Sequence, residues 1–169
     1  MRRRRRRAVI VKRSAPYLAL IALLVGVDQA AKAWVAARIG LYESIGIIPG
    51  FFRLSHVQNK GAIFGTFNNI GGRWISIVLL LLSLLALGLV LVYFLKTPPS
   101  DKLQRLALTL IMTGALGNQI DRIFRGYVID FLEFHARRFY FPTFNVADSC
   151  VTIGAALLIF VFFVRRKPA

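Results

Sequence analysis

The chain alternates between long apolar runs and short polar or basic segments. Four runs, at about 16–37, 74–95, 103–123 and 147–164, are long enough to cross roughly 30 Å of hydrocarbon as helices. The second contains no charged residue, and the fourth is a little short, with Asp148 at its start. Between the first two runs, Phe51-Phe52-Arg53-Leu54-Ser55-His56-Val57-Gln58 is rich in strand-favouring residues. Asn59-Lys60-Gly61 reads as a turn, and Ala62-Ile63-Phe64-Gly65 as the returning strand. The pattern predicts an all-α membrane protein with four transmembrane helices. A small β element resting on the membrane surface, within about 41–73, lies between the first and second spans, and its aromatic residues suit the interface. Residues 1–169 form a single membrane domain without internal repeats.

Composition agrees with a membrane location. The chain is 57% hydrophobic with a mean hydropathy of +0.62, too apolar for an average soluble domain. The formal charge of +16 would also fit a nucleic-acid partner. However, the basic residues sit at the chain ends and between the apolar runs, the distribution that orients a membrane protein, so no nucleic acid is expected. Arg2 to Arg7 with Lys12 and Arg13, the link Lys96–Lys102, and Arg165-Arg166-Lys167 would share one side if there are four spans. That side is read as the cytoplasm, with both termini on it. Loops 38–73 and 124–146, which carry some Arg of their own, then face outward and make the β element extracytoplasmic. Residues 1–15 are a basic cytoplasmic extension with an orienting, lipid-facing role. The apolar run after them is too long for a signal-peptide core and lacks a small-residue cleavage site, so it reads as an uncleaved span. Cys150 is the only cysteine, which excludes an intramolecular disulfide and leaves a small packing residue.

Polar residues inside such runs are costly and tend to mark function. Asp28 and Lys32 lie four apart on one helix face. They read either as an ion pair fixing the helix end or as a contact for substrate or lipid. In the third run, Gly114 and Gly117 allow another backbone to approach closely. Asn118, Asp121 and Arg122 follow at i, i+3, i+4 spacing, as a packing network or a site. Asp130 is set among apolar neighbours in Tyr127-Val128-Ile129-Asp130-Phe131-Leu132, where burial would raise its pKa. Asn145 reads as the N-cap of the fourth helix with Asp148 three residues on, a capping-box spacing. Asp130 and Asp148 would then share the outer surface. Two carboxylates held close share a proton, so one can deprotonate water while the other protonates or hydrogen-bonds a substrate carbonyl. His56 and His135 stand in separate loops, a weak basis for a metal, and none is expected.

These motifs resemble the bacterial lipoprotein signal peptidases, the type II signal peptidases, which are aspartyl intramembrane proteases. The resemblance runs through Asp28-Gln29-Ala30-Ala31-Lys32, Asn59-Lys60-Gly61-Ala62-Ile63-Phe64-Gly65, Gly114-Ala115-Leu116-Gly117-Asn118 with Asp121-Arg122, Val128-Ile129-Asp130-Phe131, and Phe144-Asn145-Val146-Ala147-Asp148-Ser149. It departs at Ala31, where the family usually has Thr or Ser, and at Thr113, where a second Gly is common. The resemblance implies that Asp130 and Asp148 are a catalytic dyad using activated water. It implies substrate-binding or supporting roles for Asp28, Lys32, Asn59, Gly61, Asn118, Asp121, Arg122 and Asn145. The implied substrate is a diacylglyceryl-modified prolipoprotein, cut just before the lipidated lipobox cysteine. A monomer in the bacterial inner membrane is implied, among membrane lipids, with its site at the periplasmic face, no cofactor, and globomycin as inhibitor. Two other classes use intramembrane carboxylates: a small transporter or proton pathway, and a scaffold held together by polar contacts. A transporter places ionisable residues near mid-bilayer on several spans, whereas here they gather at one end.

Overall fold

The structure is a computed structural model that describes residues 2–60, 72–136 and 139–165. The elements run α1 (Arg2–Arg38), β1 (Ser44–Ile48), β2 (Phe52–Asn59), α2 (Gly72–Lys96), α3 (Lys102–Phe124), β3 (Val128–Ala136), β4 (Phe139–Tyr140) and α4 (Val146–Arg165). The last turn of α2 closes when the Thr97 hydroxyl donates to Tyr93 O at 2.8 Å. Pro98 and Pro99 then cannot continue the helix, and α3 starts after Asp101. The chain therefore reverses between α2 and α3, and α3 runs back to the end of the bundle where the sheet lies.

α3 is the central helix and packs against α1, α2 and α4. A Cβ on Gly114 would lie 2.1 Å from the carbonyl oxygen of Ala147, and one on Gly154 would lie 2.7 Å from that of Ala107. Only hydrogen side chains allow α3 and α4 to approach this closely. Thr113, buried beside them, donates its hydroxyl to Thr109 O at 2.8 Å, so it adds no unpaired polar group to the helix face. One apolar cluster joins Val35 and Ile39 of α1 to Ile129 and Phe131 of β3, with Ala31 packed against it. A second unites Phe94, Leu108 and Met112 at the opposite end. The outer helices reverse the soluble pattern. Leu81, Leu85 and Leu89 of α2 and Phe160 and Phe163 of α4 are exposed, whereas α3 buries Gln104, Arg105, Thr109, Thr113, Gln119 and Asp121. Ser14–Arg38 and Val146–Val164 are each long and apolar enough to cross a membrane, and Leu80–Lys96 is a shorter apolar helical piece.

The β element is larger than the pattern predicts. It is a four-stranded sheet in the order β1-β2-β3-β4, with every neighbouring pair antiparallel. β2 matches the expected strand, but its hairpin partner is β1, which precedes it. The turn between them has Pro49, then Gly50 at φ 72, and an Ile48 O acceptor for the Phe51 N–H at 3.0 Å, the chemistry of a type II turn. The expected return strand at 62–65 lies outside the described residues. Residues 128–136, expected as loop, form β3 and put the second inter-helix segment into the same sheet. This corrects the placement of the β element between the first two helices alone. The apolar run at Val128 becomes a strand because β2 supplies its partner, with Val57 opposite Asp130 and Asn59 opposite Val128.

Candidate active site

The start of α4 organises the site. Asn145 Oδ1 accepts the Asp148 N–H at 2.8 Å, and Asp148 Oδ2 accepts the Asn145 N–H at 3.2 Å. This is the reciprocal capping box expected from the spacing. The other end of the same amide, Nδ2 of the fully buried Asn145, donates to Asp130 Oδ1 at 2.7 Å. Asn145 thus ties the two aspartates together, donating its side-chain amide to the Asp130 carboxylate and its backbone N–H to the Asp148 carboxylate. Asp130 Oδ2 also accepts from Asn59 Nδ2 at 2.9 Å, across the β2–β3 pair. Asp148 Oδ1 accepts from Asn118 Nδ2 at 2.7 Å. Burial raises the Asp130 pKa to about 6, assisted by the nearby Asp148 and opposed by hydrogen bonds from Asn59 and Asn145 and by Lys32.

Beneath this pair lies a buried ionic network. Lys32 Nζ sits 2.8 Å from both Asp28 Oδ2 and Asp121 Oδ2 and donates to Asn118 Oδ1 at 3.1 Å. All three ammonium donors therefore have acceptors, as a fully buried cation requires. Asp28 Oδ1 accepts the Ala147 N–H at 2.9 Å, a free donor of the first turn of α4. Asp121 Oδ2 accepts the Ile129 N–H at 3.3 Å, next to Asp130. The network fixes α1, α3, β3 and α4 around the carboxylates. It supports the ion-pair reading of Asp28 and Lys32. Gly117 belongs here too, since a Cβ would lie 2.9 Å from Asp28 Oδ2.

Of the residues singled out from the sequence, Asp28, Lys32, Asn59, Asn118, Asp121, Asp130, Asn145 and Asp148 come together in this one constellation. Gly61 lies outside the described residues. Arg122 is half-buried, and although its carbonyl accepts the Gly126 N–H at 3.2 Å, its side chain makes no hydrogen bond or ion pair with a described residue. Arg125 instead pairs with Asp121, and its Nη1 donates to Gln29 Oε1 at 3.0 Å. Gln29 Nε2 in turn donates to Asp121 Oδ1 at 3.2 Å and Gly117 O at 3.1 Å. Sequence reasoning missed both. The signal for Arg125 was its i+4 spacing from Asp121, the same spacing that links Asp28 to Lys32.

Two aspartates from different elements joined by an asparagine, over a buried lysine, can be compared with known proteins. Residues 20–164 match the family model described as signal peptidase (SPase) II. The chain belongs to the signal peptidase II family. It is a peptidase of the aspartic type, and so a hydrolase. The lipoprotein signal peptidase of Symbiobacterium thermophilum is 47% identical over 152 residues, covering 89% of this chain and 95% of that one. That of Shewanella loihica is 42% identical over 155 residues, covering 88% and 87%. A solved bacterial membrane enzyme matches the signal peptidase II fold seen here with a TM-score of 0.79. It is 28% identical and covers 92% of this chain and 95% of that one.

Proposed function

We propose that this signal peptidase II cleaves the signal peptides of lipoproteins through water activated by the Asp130–Asp148 pair. The observation that carries the reading is the bridging Asn145, whose amide donates to Asp130 at 2.7 Å and caps Asp148 at 2.8 Å. Asp130, with its pKa raised to about 6, is suited to hold the shared proton and donate to the scissile carbonyl. Asp148 lies less buried at the mouth of α4 and takes the proton from the attacking water. Asn59, Asn118 and Asn145 orient the carboxylates, and the Lys32 network supports them from below. Gly61 and Arg122 are assigned to substrate contact, following the family resemblance.

The substrate is a prolipoprotein whose lipobox cysteine carries diacylglycerol, cut immediately before that cysteine. Its acyl chains stay among membrane lipids while the scissile bond reaches the carboxylates at the helix ends. The protein acts as a monomer in the bacterial inner membrane, with four spans, both termini cytoplasmic, the site and the sheet at the outer surface, and globomycin as inhibitor. Asp130→Asn and Asp148→Asn are each expected to abolish cleavage of purified diacylglyceryl-prolipoprotein while the proteins keep their thermal transition. Near-normal turnover by either folded variant would sink the dyad.

A further inference from the structure

The sheet has a second working end. β3 runs from Asp130 to His135 in five steps, about 17 Å along an extended strand. There the β1–β2 turn meets it, with the His135 N–H donating to Phe51 O at 2.9 Å and the Phe51 and Phe134 rings 5.5 Å apart. β4 pairs with this end of β3 through His135 opposite Tyr140 and Ala136 opposite Phe139. Three consecutive aromatic residues then face outward: Phe139 is 84% exposed, Tyr140 66% and Phe141 61%. Rings of this size lose 150–250 Å² each from water when covered, so the arrangement calls for a partner.

Position and chemistry together name that partner. Phe141 is only five residues from Val146, the first residue of α4, so about 17 Å of chain at most separates it from the start of that helix. α4 is a segment long and apolar enough to cross a bilayer. The tip is therefore within reach of the membrane interface, where aromatic rings concentrate. Tyr140 is dressed for such a boundary. Its ring stacks on His135 at 5.8 Å and lies 5.9 Å from the Arg53 guanidinium, while Phe139 and Phe141 on either side of it carry no polar atom. At the opposite edge of the sheet Ile45, Ile47 and Ile48 of β1 are also exposed, so one apolar surface could receive both edges.

We infer that the β3–β4 hairpin is a membrane-interface anchor. Phe139 and Phe141 sit in the headgroup layer and pin the far end of β3, the strand that carries Asp130. The bilayer thereby becomes part of what holds that carboxylate in register with Asp148. The inference rests on the reading of the helices as spans, and its test separates the two.

Single-tryptophan proteins in a Trp34→Phe, Trp74→Phe background, reconstituted full-length in vesicles, place each site by quenching from brominated lipids. Leu85→Trp, on the exposed face of α2, reports the span, and Phe139→Trp and Tyr140→Trp report the hairpin. Expected is about twofold stronger quenching of Leu85→Trp by lipids brominated deep in the acyl chain than by lipids brominated near the headgroup, and the reverse preference for the hairpin positions. Retained cleavage activity shows that each variant is folded, and Tyr140→Trp stands in if Phe139→Trp is inactive. Quenching of Leu85→Trp with none at the hairpin overturns the anchor and leaves the spans standing. Absence of quenching at all three positions overturns both.

Discussion

Asn145 has one amide, and each end of it serves a different aspartate. The Asp130 carboxyl is protonated below about pH 6 and ionised above it, because burial outweighs the two amide donors. With Asp130 holding the shared proton, kcat/KM should be greatest below about pH 6 and fall about tenfold per unit above it. Bound substrate excludes water and raises the value further, so the limb in kcat should lie at higher pH than the limb in kcat/KM. A pH–rate series on a fixed lipopeptide checks both, and activity that instead rises through pH 6 would exchange the roles of the two aspartates. The two arginines make a second contrast. Arg125→Ala removes a partner of buried Asp121 and should cost about 1–3 kcal/mol in thermal stability. Arg122→Ala should cost under about 0.5 kcal/mol, so that any activity it loses reports substrate contact. An Arg122→Ala protein as unstable as Arg125→Ala would return Arg122 to the framework.

The elements differ in how far they can be read from local sequence. The cap of α4 was legible because Asn145 and Asp148 are three residues apart and close their bonds within one turn. The glycine stripe of α3 was legible for a similar reason, since small residues on one helix face have few uses other than close approach. β3 was not, because its partner β2 lies far back in the chain; Asn59 and Asp130, which meet across the pair, are 71 residues apart. An apolar run of that length is equally a loop or a strand until a neighbour takes its hydrogen bonds. Gly114→Ala should force α3 from α4 just below the carboxylates, because the Ala147 carbonyl in its way is backbone and cannot rotate aside. The expected loss is about 1–3 kcal/mol, with impaired cleavage. Gly88→Ala, where a Cβ meets nothing within 4 Å, is the control and should be neutral or stabilising by up to about 1 kcal/mol. Thermal denaturation of the two variants in one detergent compares them directly.

At the scale of the whole molecule, the described helices are apolar on the outside and ionic within. Leucine and phenylalanine face outward on α2 and α4, while an ionic network is shut inside, around the ends of α1, α3 and α4. The proposed topology puts the α2–α3 link and β1 on opposite sides of the membrane. In a Cys150→Ser background, a membrane-impermeant maleimide should label Gly46→Cys in intact spheroplasts. Ser100→Cys should react only after permeabilisation. Both positions are exposed in the structure. Labelling of both in intact cells would mean that α2 does not cross.

What the sequence determined by itself is whatever depends on short range and on solvent. Apolar length selected the helices, and three- and four-residue spacings found the α4 cap and the Asp28–Lys32 pair. What only the tertiary structure decided is which distant groups meet. It joined Asp121 to Lys32 and to Arg125 rather than leaving it with Arg122, drew β3 into the sheet, and made Asn145 the bridge between Asp130 and Asp148. Each of those contacts depends on where helices cross and strands register. That is settled by packing at Gly114, Gly117 and the Val35–Ile129 cluster, and nowhere in the local pattern.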